Sequence, residues 1–126
     1  VKGQVLLLEK KKPLPYYVDD EFPETLSYVF TRSDGILIGG SAEVGLDDDL
    51  PFPEMLQTIR QRCENILPDL RGLKVLKQWA GHRPARPEIR LERVPDRQLI
   101  HNYGHGGSGY TLAWGCAASA LECLHK

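Results

Sequence analysis

The stretch from Tyr110 to Leu124 constrains this chain more than any other part of it, because it reads as a helix that is apolar on nearly every side. Ala113, Ala117, Ala118 and Ala120 favour the helix, and their small side chains permit close packing. A helix hydrophobic all round must be buried. A single small antiparallel sheet cannot bury it fully, so something else should cover it. The whole chain has 126 residues, room for one domain. A globule of this size buries roughly two-thirds of its unfolded surface, enough for one core. With 41% hydrophobic and 26% charged residues, disorder and collagen-like repeats are excluded. A net charge of −1 argues against a nucleic-acid binder, which carries a basic excess or stripe.

No apolar run approaches the ~20 residues of a membrane span. Val1–Glu9 holds too short an apolar stretch for a signal peptide, so no secretion and no membrane partner are expected. The chain does not begin with Met, as expected of a trimmed chain or a piece of a longer one. Three cysteines, Cys63, Cys116 and Cys123, make an odd and widely spaced set. They form neither a disulfide framework nor a Cys-x-x-Cys site. Cys116 and Cys123 lie in apolar company and are expected as buried structural thiols.

Gln4–Leu8 reads as a short strand, followed by a Pro-, Asp- and Tyr-rich loop from Pro15 to Glu24. Leu26–Thr31 and Ile36–Ser41 read as two strands joined by the turn Arg32-Ser-Asp-Gly35. Gly39-Gly40 in the second suggests a bulge or a close approach by another group. Leu46–Pro53 is an acidic loop, and Asp47-Asp-Asp49 is read as solvated. Apolar positions at Phe52, Met55, Leu56, Ile59, Cys63 and Ile66 step by three and four, the spacing of a helix that ends before Pro68. Its opposite face holds Gln57, Arg60, Arg62 and Glu64. Leu73–Gly81 reads as a strand, Arg83–Pro87 as extended because each Pro restricts its predecessor, and Ile89–Val94 with Gln98–Tyr103 as a strand pair around Pro95-Asp-Arg97. The expected fold class is α+β: an antiparallel or mixed sheet of about five or six strands, one amphipathic helix and a buried C-terminal helix.

Strand, glycine-rich turn and helix follow one another from Leu99 to Leu124, with Gly104-His-Gly-Gly-Ser-Gly109 as the turn. Glycines let backbone approach a ligand closely, and the free amides of a helix N-terminus attract anions. A tight turn needing positive φ is the plain structural alternative. The spacing fits neither a Rossmann pyrophosphate loop nor a P-loop, which needs Lys at the helix start. Arg83 sits in a segment stiffened by two prolines, where a planar guanidinium suits a carboxylate. Arg86, three residues on, faces the other side of an extended run. His101 and His105 are four residues apart, a gap that lines up metal ligands only on a helix; the glycine-rich turn forbids a helix there, and no metal is expected. Gly107-Ser108-Gly109 lacks the spacing of a nucleophile elbow.

Leu99–Ala117 closely resembles the signature of the D-amino-acid oxidase and D-aspartate oxidase family, and Gly81–Glu92 resembles its second marker. Ser27–Arg32 with Ile38–Ser41 resembles the substrate-domain hairpin. The likeness spans almost the whole chain. It implies an FAD-dependent oxidase: hydride passes from Cα of a D-amino acid to flavin N5, electrons go on to O₂ giving hydrogen peroxide, and the imino acid hydrolyses to a 2-oxo acid and ammonia. Carried over residue by residue, Arg83 and the Tyr28 hydroxyl bind the substrate carboxylate, and the Gly107 carbonyl receives the amine. Gly106, Gly107, Ser108, Gly109, Tyr110 and Thr111 contact the isoalloxazine edge.

Glu24 stands where vertebrate members carry a lid tyrosine, and Ala42 where a bulky aromatic often follows the Gly-Gly pair. No second arginine is seen in the hairpin, which favours a neutral D-amino acid over D-aspartate. The resemblance places 1–98 in the substrate-binding domain and assigns 99–126 to the last strand, turn and helix of the FAD-binding domain. The dinucleotide loop is absent, so the implied partners include an N-terminal dinucleotide-binding polypeptide or missing segment, and a homodimer through the sheet. A cytoplasmic or peroxisomal location is the matching expectation. The competing reading is a non-catalytic ligand-binding or oligomerisation module; a relative acting on glycine, sarcosine or L-proline ranks below both.

Overall fold

A computed structural model describes residues 1–125. The chain separates into two compact units, Lys2–His82 and the residues from Arg83 onward together with Val1. In the first unit five antiparallel strands lie in the order β2-β3-β4-β1-β5, where β1 is Lys2–Leu8, β2 Tyr17–Asp19, β3 Ser27–Thr31, β4 Ile36–Gly39 and β5 Val75–His82. One helix, α1 (Pro53–Ile66), packs on one face. The α+β class is the expected one. The expected single sheet of five or six strands is a five-stranded sheet plus a separate two-stranded ribbon in the second unit.

α1 begins with Pro53 at its first position, where the missing N–H costs nothing. It ends where Leu67 turns extended before Pro68, the conformation a following proline imposes. Leu56, Ile59 and Cys63 are its buried stripe, packed with Leu6, Leu8, Val29, Ile36 and Ile38. Burying each such aliphatic side chain contributes about 1.5–3 kcal/mol. Burial pushes the Cys63 thiol up to about 11. The start of α1 is seated on β1 by a buried amide: Gln4 Oε1 accepts from the Phe52 N–H at 2.6 Å, and Gln4 Nε2 donates to Glu43 at 2.6 Å.

Two expectations change in this unit. The Pro15–Glu24 loop contains the short edge strand β2, paired to β3. The acidic run is not simply solvated. Asp48 takes the buried Lys2 ammonium at 2.7 Å, which holds its carboxyl below the usual carboxylate range. Asp49 pairs with His82 at 2.7 Å. Buried Lys2 also lies over the Phe52 ring, and a cation taken out of water needs such partners.

The second unit holds β6 (Ala85–Arg93) and β7 (Ile100–His105), an antiparallel pair turned at Asp96, and α2 (Gly109–Leu124). The Pro-rich run expected as extended opens into β6. None of the residues of α2 is buried, and Tyr110 and Trp114 are 100% and 89% exposed. The burial expected for this helix is not supplied within the described residues. For the same reason Cys116 and Cys123, expected as buried thiols, are only half-buried. Among the described residues no helix is long and apolar enough to cross a membrane.

Candidate functional site

Arg83 is held from both directions: its N–H donates to the Val1 carbonyl at 2.8 Å, and its carbonyl accepts from the Val1 nitrogen at 3.0 Å. The next residue, Pro84, offers its carbonyl to the Gly106 N–H at 2.8 Å, and Ala85 pairs with His105. These bonds lay the glycine turn along the Arg83 segment. A Cβ placed on Gly107 would stand 3.9 Å from the Arg83 side-chain stem, so guanidinium-bearing chain and turn backbone adjoin.

The turn runs as one short 3₁₀ stretch, Gly106–Ser108, directly into α2. Ser108 occupies the cap position without a side-chain capping bond, and the first turn of α2 holds no acidic residue. The first amides of a helix lack intrahelical partners and carry its positive end. Here neither a cap nor a carboxylate covers them. Gly106, Gly107 and Gly109 present bare backbone beside them, and Tyr110 and Thr111 are exposed in the first turn. A phosphate or an electron-rich ring edge would fit such a surface.

His101 and His105 lie on strand β7, with Gly104 between them in the strand. His101 packs edge-on against Tyr103, and His105 Nε2 is 3.3 Å from Cys116 Sγ. Among the described residues no cluster of His, Cys, Asp and Glu could hold a metal ion. Arg86 turns to packing: its stem covers Gly104, and it reaches the Tyr103 hydroxyl at 3.4 Å. Arg90 reaches the same hydroxyl at 3.1 Å, and that hydrogen bond holds the phenol below its ordinary pKa. This Arg86–Arg90–Tyr103 group was not legible beforehand, because two arginines and a tyrosine at unrelated spacings carry no motif.

Tyr28 belongs to the other unit. Strand register sets Val18, Tyr28, Gly39, Val5 and Trp79 directly opposite one another across all five strands. Directly opposed residues share a face, and this one is turned away from α1. The Tyr28 ring stacks with Phe30 at 5.3 Å between centroids. It also lies over Gly39 and Gly40: a Cβ on Gly40 would stand 2.6 Å from the ring, and one on Gly39 closer still. The close approach expected at the glycine pair is therefore that of Tyr28.

The order of sheet, strand, glycine turn and helix recurs among solved structures. The glycine oxidase of Bacillus cereus superposes with a TM-score of 0.84 at 21% identity, over 98% of this chain and 35% of that one. The family model described as FAD dependent oxidoreductase matches residues 1–122, and the chain belongs to that family. The D-amino-acid oxidase of Rubrobacter xylanophilus is 43% identical over 95% of this chain and 38% of its own length. That of Streptomyces coelicolor is 42% identical over 97% and 39%. The chain thus spans well under half the length of these relatives.

Proposed function

We propose that this chain is the C-terminal part of an FAD-dependent oxidase that converts D-amino acids to 2-oxo acids, ammonia and hydrogen peroxide. The observation that carries the reading is the Arg83 stem lying 3.9 Å from the Cβ position of Gly107. A guanidinium there takes a carboxylate through two parallel hydrogen bonds. The Gly107 carbonyl accepts from the amine of the same molecule, so two points of one amino acid are fixed and its Cα is oriented. Tyr28 supplies a further hydroxyl to the carboxylate. Gly106, Ser108, Gly109, Tyr110 and Thr111 cradle the ring edge, and the uncapped start of α2 favours negative charge developing there. When bound, FAD supplies the hydride acceptor that the side chains of this segment cannot. The neutral amine needs no protein base in this scheme, so the residues work by orientation and electrostatics.

In this reading residues 1–98 serve the substrate domain and 99–126 the flavin domain, whose dinucleotide-binding part lies outside this sequence. That part, O₂, the substrate and a second copy through the sheet are the partners. The test uses the full-length protein loaded with FAD. D-alanine should generate peroxide and L-alanine none, with D-aspartate slower than D-alanine. Peroxide from glycine or L-proline in preference to D-alanine would move the assignment to another substrate. No flavin reduction by any amino acid would favour a non-catalytic module.

A further inference from the structure

Arg62 rises from α1 and holds two carbonyls on different segments: Nη1 donates to Glu24 at 2.6 Å and Nη2 to Gly40 at 2.9 Å. Its Nε is buried with no hydrogen-bond partner. Leaving a donor unsatisfied in the interior carries a desolvation cost, one an apolar side chain would not incur. What the guanidinium holds gives the reason. Gly40 is gripped from both sides, since its N–H also donates to the Leu26 carbonyl at 3.1 Å. Gly39 and Gly40 are the floor under the Tyr28 ring, and neither leaves room for a methyl group there. The neighbouring Cys63 thiol meets the Gly39 carbonyl at 3.5 Å and the Tyr28 carbonyl at 3.8 Å. Glu24, Ala42, Met55 and Arg62 line one small cavity of about 170 Å³ beside this floor.

We infer that Arg62 is a positioning residue: it fixes the Gly39–Gly40 floor and thereby the place of the Tyr28 hydroxyl. The inference rests on the reading of Tyr28 as a substrate contact. Arg62→Met keeps the bulk of the stem and removes its donors. In the full-length flavoprotein it should raise the KM for D-alanine about tenfold with kcat within about twofold, a loss of roughly 1.4 kcal/mol in binding. Arg62→Lys, able to hold one carbonyl, should recover part of it. In a Tyr28→Phe background Arg62→Met should add less than about twofold, because the group it places is gone. An equal effect in both backgrounds overturns the inference.

A second readout is independent of turnover. Hydrogen exchange at the Gly40 amide should accelerate about tenfold in Arg62→Met while the β1 amides stay unchanged. Unchanged Gly40 protection overturns the inference whatever the enzyme oxidises. An accelerated Gly40 in a protein that oxidises no amino acid would instead support the positioning and sink the functional reading. Should Arg62→Met fail to fold, Gly40→Ala raises the same floor directly and must give the same KM-selective loss; a normal KM there sinks the idea.

Discussion

The two units of this chain use apolar residues in opposite ways. In Lys2–His82 they close on themselves: Leu8, Val29, Ile36, Ile38, Ile59 and Cys63 are fully buried between sheet and helix. In the residues from Arg83 onward they stay outside, and α2 shows Tyr110, Trp114, Leu121 and Leu124 to solvent. The same hydrophobic effect yields a finished core in one case and an open apolar surface in the other. The difference teaches where stability is drawn: the first unit has an interior of its own, while α2 in the second buries none of its residues among the described ones. The residues proposed for the site follow the same split. Arg83 and the glycine turn belong to the open unit, Tyr28 to the closed one.

The contrast can be tested, beginning where the largest effect is expected. In the full-length flavoprotein Arg83→Leu should lower kcat/KM for D-alanine about 10² to 10³-fold, as expected when one partner of a desolvated charge pair is removed. A loss under about fivefold would detach the guanidinium from substrate binding. Ile59→Ala should destabilise this chain by about 2–5 kcal/mol in urea, the range for truncating a fully buried aliphatic side chain. Gly104→Ala, at φ +94 beneath the Arg86 stem, should cost about 1–3 kcal/mol, because the left-handed conformation is strained for any residue with a Cβ.

A smaller effect is expected at His82. Its Nε2 faces the Leu46 carbonyl at 2.8 Å, and its Nδ1 faces Asp49. Both partners accept, so both ring nitrogens donate and the imidazolium is the bound form. The Leu46 carbonyl first, then Asp49, raise its pKa above the ordinary 6.5. A folded value raised in this way gives stability that is complete below 6.5 and lost as pH climbs through the raised value. Titrating the His82 ring proton by NMR, while following exchange of the Leu46–Asp49 amides, checks this. A ring that titrates below 6.5 contradicts it. Smallest of all, Trp114→Ala should change the stability of this chain by less than about 0.5 kcal/mol, as an exposed site does. The same change in the full-length protein should cost several times more if α2 is covered there.

Much of this was legible in the residues. The three-four spacing from Met55 to Ile66 announced α1, and Pro53 and Pro68 bracket it. Asp34-Gly35 announced the β3–β4 turn. The even apolarity of Tyr110–Leu124 announced the helix, whereas the burial it led one to expect is not supplied by the described residues. Three features carried no local signal. β2 hides in a loop because three residues are too short for a pattern and gain their strand geometry only from β3. Lys2 and Asp48 are 46 positions apart, and only the fold joins them. Arg62 sits among polar helix residues that looked solvent-facing, while its reach to Glu24 and Gly40 depends on tertiary placement. Arg83 and Gly107 were legible as a pair only through family resemblance, since no spacing rule links a proline-stiffened arginine to a glycine 24 residues later.

The Gln4 carboxamide under the start of α1 has a further consequence. Its oxygen must meet an N–H and its nitrogen must meet a carboxylate, so it can be seated in one orientation only. Glu at this position would set two negative charges face to face, and Leu would take the acceptor from the Phe52 N–H and leave Glu43 only its bond from the Ser41 hydroxyl. Sliding β1 by one residue along its partners would swing Gln4 to the opposite side of the sheet and bring glycine or valine under Phe52. A single directional side chain therefore acts as a key for strand alignment, selecting one pairing frame for the whole sheet and fixing how deep the helix sits upon it.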